Sequence, residues 1–349
     1  MEFIIMDDDS DRIFAPVLPK TSPHIESARA HLDAWVGDLR LVRKKASEQR
    51  FVRADFAGFA SITYPDAGEA GVHLIADWFA WLFLVDDELD DGVFGRDLDH
   101  VKRVMGAILT TLQATDDPRV RGTLDGVSAD SEPAAITALS DLWQRTIGAS
   151  SASAAWRRRF IRHVTECFAA ASWEAQNRVR KTIPTEQEYI DKRRHTGAIY
   201  VCMDLIEIVE NVELPDEVLD SPVFQKALDA ACNVVCWTND VYSLEKERGL
   251  GEYHNLAYLV EHARGLTTRR AVAEVWRLIE AEVQSYFGSE EALFGAFPQH
   301  GSVLSRYAAG MRSWMRGNYD WSKRTYRYRD TNDAKVAYLE PALTGRQAL

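Results

Sequence analysis

The chain has 349 residues, 46% of them apolar, and a formal net charge of −12. That is enough apolar material for one large core or two small ones. The acid excess argues against a nucleic-acid partner, which calls for clustered Lys and Arg, and leaves room for bound cations.

Residues 1–22 carry Pro16, Pro19 and the acidic cluster Asp7-Asp8-Asp9, and read as an extended lead-in. The first residues are acidic rather than basic and lack a long apolar core, so no signal peptide is expected. From Ser27 the pattern turns helical: Ala28, Leu32, Trp35, Val36 and Leu39 recur at three and four. A second helix is predicted over Ala67 to Asp90, after Pro65 and before Gly92 and Gly95. Its apolar run, Trp78 to Val85, is far shorter than the ~20 residues a membrane span needs. A third helix covers Leu98 to Ala114. Residues 115–135 are loop-rich, but the composition does not change across them, so they read as a connection inside one domain.

Further helices are predicted at 134–148, 152–179, 185–211, 221–247, 267–288 and 301–322. No strand-like alternation persists, and the fold class is all-α with roughly ten helices. The four cysteines, Cys167, Cys202, Cys232 and Cys236, form no Cys-x-x-Cys pair and no zinc spacing. They read as packed thiols, which suits a cytoplasmic location.

Two stretches carry chemistry. In Trp81-Leu-Phe-Leu-Val-Asp-Asp-Glu-Leu-Asp-Asp91 an apolar run passes into five acids in six positions. On a helix Asp86 and Asp90 share a face, with Asp87 and Asp91 beside them. Acids at a helix C-terminus oppose its dipole by roughly 0.3–1 kcal/mol each, which favours a bound cation. Hard divalent ions such as magnesium take oxygen ligands from one or two carboxylates, water and substrate phosphates. An EF-hand is rejected, since a loop starting at Asp87 has Leu89 at its third position and Leu98 at its closing one. In the second stretch, Asn239, Ser243 and Glu247 stand at i, i+4 and i+8 and line three oxygen donors along one face. It too follows an apolar segment, Ala231 to Trp237.

Together the two motifs resemble those of bacterial class I terpene synthases, the terpene cyclases. Asp86, Asp87 and Asp90 fit that family's Asp-Asp-x-x-Asp motif, and Asp91 permits the variant one residue longer. Asn239, Asp240, Ser243 and Glu247 fit its Asn-Asp-x-x-Ser-x-x-x-Glu motif. The resemblance implies an α-bundle around a central cavity and three Mg2+ ions that hold the diphosphate of a prenyl substrate. Arg193 stands 46 residues before Asn239, the family's place for a diphosphate-sensing arginine. Thr196 and Gly197 then take the linker and effector places. Thr is a departure from the usual Asp, whereas Gly tolerates a helix break. Arg327-Tyr328 matches the family's C-terminal Arg-Tyr pair, and Lys246 adds a further diphosphate contact. Arginine suits phosphate because its planar fork donates in pairs.

Phe83 and Phe79 lie one and two turns from Asp86, and Trp314 precedes Arg327 by 13 residues, as a pocket tryptophan does in related cyclases. These three are the expected hydrocarbon wall, with Ala80, Gly197, Cys232 and Val235 giving room opposite. The expected organisation is a lead-in over 1–22, one synthase domain over 23–330 and a tail over 331–349. The expected reaction is cyclisation of farnesyl (C15) or geranylgeranyl (C20) diphosphate, chain length being open, as is a homodimer. The rival readings are a chain-elongating prenyltransferase of the same fold, which would carry two aspartate-rich motifs, and an acidic ion-binding helical module. The second leaves Arg193, Lys246 and Arg327-Tyr328 unexplained.

Overall fold

The computed structural model describes residues 7–90, 98–114 and 133–328; for Asp7 to Asp9, Ala46, Asp87 to Asp90, Leu98 and His100 it describes the backbone alone. The regular structure of these residues is helical: α1 (Asp7–Ile13), α2 (Ile25–Asp38), α3 (Lys45–Ala54), α4 (Phe56–Thr63), α5 (Glu69–Asp90), α6 (Leu98–Gln113), α7 (Ala134–Ile147), α8 (Ala154–Arg180), α9 (Glu186–Thr196), α10 (Ile199–Glu210), α11 (Asp216–Leu219), α12 (Pro222–Leu250), α13 (Leu256–Arg264), α14 (Thr268–Ala296) and α15 (Gly301–Arg324), with short 3₁₀ turns at Pro298–His300 and Tyr326–Tyr328.

The long helix α12 is the spine. Ser221 caps its start by accepting from Phe224 N–H, Pro222 follows, and Gly251 closes it in the left-handed region. Almost every residue from Ala227 to Leu244 is buried. It packs against α9, α10, α13, α14 and α15, while α5 packs against α2, α4, α7 and α10. A helix apolar all round belongs inside a bundle rather than on its surface.

Helix α15 approaches its neighbours closely at two glycines. A Cβ on Gly317 would lie 2.6 Å from the Ile62 carbonyl oxygen of α4, and one on Gly310 would lie 2.7 Å from Ile206 of α10. Both distances are below van der Waals contact, so any larger residue would push α15 outward and move the side chains it aims inward.

The helices predicted from periodicity are present, with ends shifted by a few residues. Four features differ. Residues 7–13 are helical rather than extended, because the Tyr319 hydroxyl of α15 bonds Ser10 (2.9 Å) and Asp11 (2.7 Å) and Lys323 reaches Asp11 (2.9 Å). The short helices α3, α4, α11 and α13 had no predicted counterpart. Helix α4 is buried at all eight positions and so has no amphipathic period. Helix α14 runs eight residues beyond its expected end at 288. The 185–211 segment is two helices, separated at Gly197 and Ala198.

Candidate active site

A polar cavity of about 300 Å³ and an apolar cavity of about 160 Å³ adjoin in the middle of the bundle. Phe83, Asp86, Glu174, Arg193, Thr196 and Asn239 line both. The polar one is completed by Ser243, Lys246, Glu247, Arg327 and Tyr328. Both motifs read from the sequence therefore open on one space: Asp86 from α5, and Asn239, Ser243 and Glu247 from α12.

Asp86 is half-exposed, and one of its oxygens lies 3.5 Å from Arg327 Nη2. Asp91 lies outside the described residues, and Asp87 and Asp90 lie on the described backbone of the last turn of α5. Asn239 is held on both sides. Its Oδ1 accepts from Arg193 Nη2 at 2.8 Å, and its Nδ2 donates to the Tyr328 hydroxyl at 2.5 Å. Ser243 Oγ is buried one turn before Glu247, whose carboxyl it helps stabilise. Glu247 accepts from Asn255 Nδ2 at 2.8 Å. Burial and the neighbouring Asp240 charge push its carboxyl up to about 7, against the pull of Arg193.

The basic run Lys192-Arg193-Arg194 divides in three directions. Lys192 is exposed. Arg194 turns to Tyr200 (2.8 Å) and Asn233 (3.0 Å). Arg193 turns inward, where its Nε donates to Asp240 Oδ1 at 2.9 Å. Asp240 is fully buried, and its other oxygen accepts from the Tyr189 hydroxyl and from Leu256 N–H, each at 2.9 Å. Burial disfavours the Arg193 charge, but Asp240 outweighs it, so the guanidinium stays firmly cationic. Asp240 thus holds the arginine rather than facing the cavity, a task the motif spacing alone does not disclose.

The break between α9 and α10 sits beside this arginine. The left-handed residue is Ala198 (φ 53), whereas Gly197 has φ −74. The reason for glycine is therefore space and not backbone freedom: a Cβ there would lie 3.2 Å from Cys236 Sγ and 3.3 Å from the Arg193 carbonyl. The Gly197 carbonyl accepts no hydrogen bond among the described residues. Thr196 Oγ1 lies 3.5 Å from Arg193 Nη1, so threonine still touches the arginine where aspartate is more usual.

Arg327 is nearly buried, and its Cζ lies 4.8 Å from the centre of the Phe83 ring. This cation–π contact contributes roughly 0.5–2 kcal/mol. Tyr328 is buried and meets Trp321 edge-on at 5.7 Å. Lys246 lines the polar cavity.

The apolar cavity has an aromatic wall. Phe59, Phe79 and Trp314 meet at centroid distances of 4.8 Å (Phe59–Phe79), 5.4 Å (Phe79–Trp314) and 5.6 Å (Phe59–Trp314). Phe79, Phe83 and Trp314 all line it, as expected. Gly197 and Val235 do as well, but Ala80 and Cys232 do not; Cys236, one turn on from Cys232, takes that place. Phe59 was missed because α4 carries no period to read. The polar rim also holds Arg178, Lys181, Glu252 and His254, which no motif marks. Arg178 bonds Glu252 at 2.5 Å, and Glu252 bonds His254 at 2.5 Å.

An all-helical bundle whose central cavity is apolar below and ringed by carboxylate, amide and arginine above is the architecture of a class I terpene synthase. The comparisons agree. The family model described as terpene synthase family 2, C-terminal metal binding, matches residues 77–285, and the chain belongs to that family. It is 31% identical over 332 residues to a (+)-T-muurolol synthase of Roseiflexus castenholzii, covering 95% of this chain and 97% of the relative. It is 30% identical to a 10-epi-cubebol synthase of Sorangium cellulosum, covering 89% and 96%. Among solved structures, the linalool/nerolidol synthase of Streptomyces clavuligerus matches with a TM-score of 0.76 and 27% identity, over 87% of this chain and 98% of that one. The protein is a terpene cyclase, a lyase, with a divalent-metal-binding domain. No helix among the described residues is long and apolar enough to cross a membrane.

Proposed function

We propose that this enzyme ionises (2E,6E)-farnesyl diphosphate and cyclises the resulting cation to a sesquiterpene. C15 is favoured over C20 by the relatives, one of which is named for cyclising that substrate. The synthase domain is read as 23–330, with 1–22 leading in and 331–349 as a tail, and the location as cytoplasmic.

The donor set suits magnesium. Asp86, Asn239, Ser243 and Glu247 each bring a hard oxygen donor to the same cavity. Asp87, Asp90 and Asp91 complete the expected set, with three ions in all. When bound, the metal ions neutralise charge on the departing diphosphate. The remaining work falls to the chain. Arg193, Lys246 and Arg327 supply fixed positive charge around the polar cavity, and Tyr328 a hydroxyl. Asp240 keeps Arg193 aimed, and the Thr196–Gly197 turn carries an uncommitted carbonyl toward the ionising carbon. The C–O bond breaks with its electron pair leaving on diphosphate. The cation then lies against Phe79, Phe83 and Trp314, whose faces stabilise it without acting as bases. The final proton goes to diphosphate or a backbone group.

The observation that carries this reading is the junction of the two cavities at Arg193 and Asn239. The test is product analysis of purified enzyme with farnesyl diphosphate and magnesium. A cyclic C15 hydrocarbon or alcohol is expected; formation of longer prenyl diphosphates on adding isopentenyl diphosphate would instead mean chain elongation.

A further inference from the structure

Six residues of the apolar cavity carry an ionised, amide or hydroxyl side chain. Five of them, Asp86, Glu174, Arg193, Thr196 and Asn239, belong also to the polar cavity and so to the diphosphate end. The sixth, Asn318, lines the apolar cavity alone. It is 3% exposed and stands one turn beyond Trp314 on α15. Its Nδ2 donates to the Val235 carbonyl of α12 at 3.0 Å. A carbonyl accepts only from a donor, so this bond fixes which amide atom is nitrogen. It also locks the side chain, because Val235 lies in the buried middle of α12. No hydrogen bond to its Oδ1 is made among the described residues, and the residue lines the apolar cavity.

An amide is expensive in such a place. Burying one without full compensation is destabilising. The tie between α12 and α15 recovers part of that through Nδ2. No described residue donates to the oxygen. A fixed partial negative charge at an aromatic cavity has one evident use there: it favours positive charge placed against it, and it requires no reorganisation as that charge develops. Unlike a carboxylate it is too weak a base to end the reaction early.

We propose that Asn318 is a specificity-determining residue whose Oδ1 stabilises the cyclised carbocation at the α15 wall, remote from diphosphate, and so selects among the cations that ring closure can produce. The inference rests on the cyclase reading. It predicts a division of labour: Arg193, Asn239 and the Arg-Tyr pair govern ionisation, and Asn318 governs the fate of the cation afterwards.

The test compares wild type with Asn318→Leu, close in size but without the dipole, and with Asn318→Ala should the leucine variant not fold. Diphosphate release from farnesyl diphosphate is expected to stay within about threefold of wild type, while the share of the main product falls by at least about twofold. Inhibition by a tertiary-ammonium analogue of the cyclised cation, given with inorganic diphosphate, should weaken roughly five- to thirtyfold. Inhibition by farnesyl thiodiphosphate, whose tail is uncharged, should change less than about twofold. A folded variant with an unchanged product profile and unchanged ammonium inhibition overturns the proposal. Equal weakening of both inhibitors also overturns it, since that marks a helix tie and nothing more. If wild type itself makes no terpene from any prenyl diphosphate, the cyclase reading fails first.

Discussion

Arg193 donates to Asn239 Oδ1 at 2.8 Å and to Asp240 Oδ1 at 2.9 Å, so one guanidinium is shared between two successive residues of the same motif. One of those residues faces the cavity and the other is sealed behind it. The pair makes the arginine's direction a property of α12, not of α9, where the arginine itself resides.

Asp240→Ala should therefore cost more than a lost surface contact. It leaves a buried arginine unpaired, which typically destabilises by about 3–5 kcal/mol. Urea unfolding should report that loss, and turnover should fall in the fraction that remains folded. Asp240→Asn keeps the volume and one acceptor oxygen, and should recover more stability than activity. Full activity in either variant would detach Arg193 from Asp240.

Asp86→Ala and Asn239→Ala should each abolish turnover while helical circular dichroism is kept. Asp86 is half-exposed, and surface substitutions of that kind usually shift stability by less than about 0.5 kcal/mol. Retained turnover in either variant would remove its assignment as a metal ligand.

Arg327→Ala breaks the contact with Asp86 and the packing on Phe83. Inhibition by inorganic diphosphate should weaken roughly tenfold or more, the scale of one hydrogen bond to a charged group. Unchanged inhibition would place Arg327 outside the diphosphate site.

Trp314 is 2% exposed and packs against Phe59, Tyr64 and Phe79. Replacing it by alanine risks about 3–5 kcal/mol of stability, so Trp314→Phe is the sharper probe. It should redistribute products with most of the turnover retained. An unaltered profile would return Trp314 to the core.

Glu207 tests the fold apart from the site. It is fully buried beside Arg159, and burial raises its carboxyl to about 7 despite that arginine. The folded state then holds a proton that the unfolded chain releases near pH 4.5. Stability from this group is present below the unfolded value and is lost as pH rises toward 7. Glu207→Gln should flatten the fall in unfolding free energy between pH 5 and pH 7.5 by on the order of 1–3 kcal/mol. The same slope in both proteins would contradict the raised value.

Much of the site was legible because its chemistry is local in sequence. Asn239, Ser243 and Glu247 repeat every helical turn, and the Asp86 cluster ends an apolar helix, so spacing alone shows the faces. Arg193 could be placed only by likeness to known cyclases; the inward turn that separates it from Lys192 and Arg194 is decided by Asp240, which is distant in sequence. The structure reassigns Gly197, whose small size matters because Cys236 lies close, while Ala198 takes the left-handed turn. Phe59, Asn318, Arg178 and His254 carry no local signal. They reach the cavities through packing, such as the close approach at Gly317 that sets α15 against α4.

The most direct test is incubation of the purified protein with magnesium and, separately, the C10, C15, C20 and C25 prenyl diphosphates, followed by gas chromatography–mass spectrometry. A cyclic C15 product from farnesyl diphosphate, absent without magnesium, is the expected result. No cyclic product from any of the four, given folded protein, would contradict the assignment of this site as a terpene-cyclising centre.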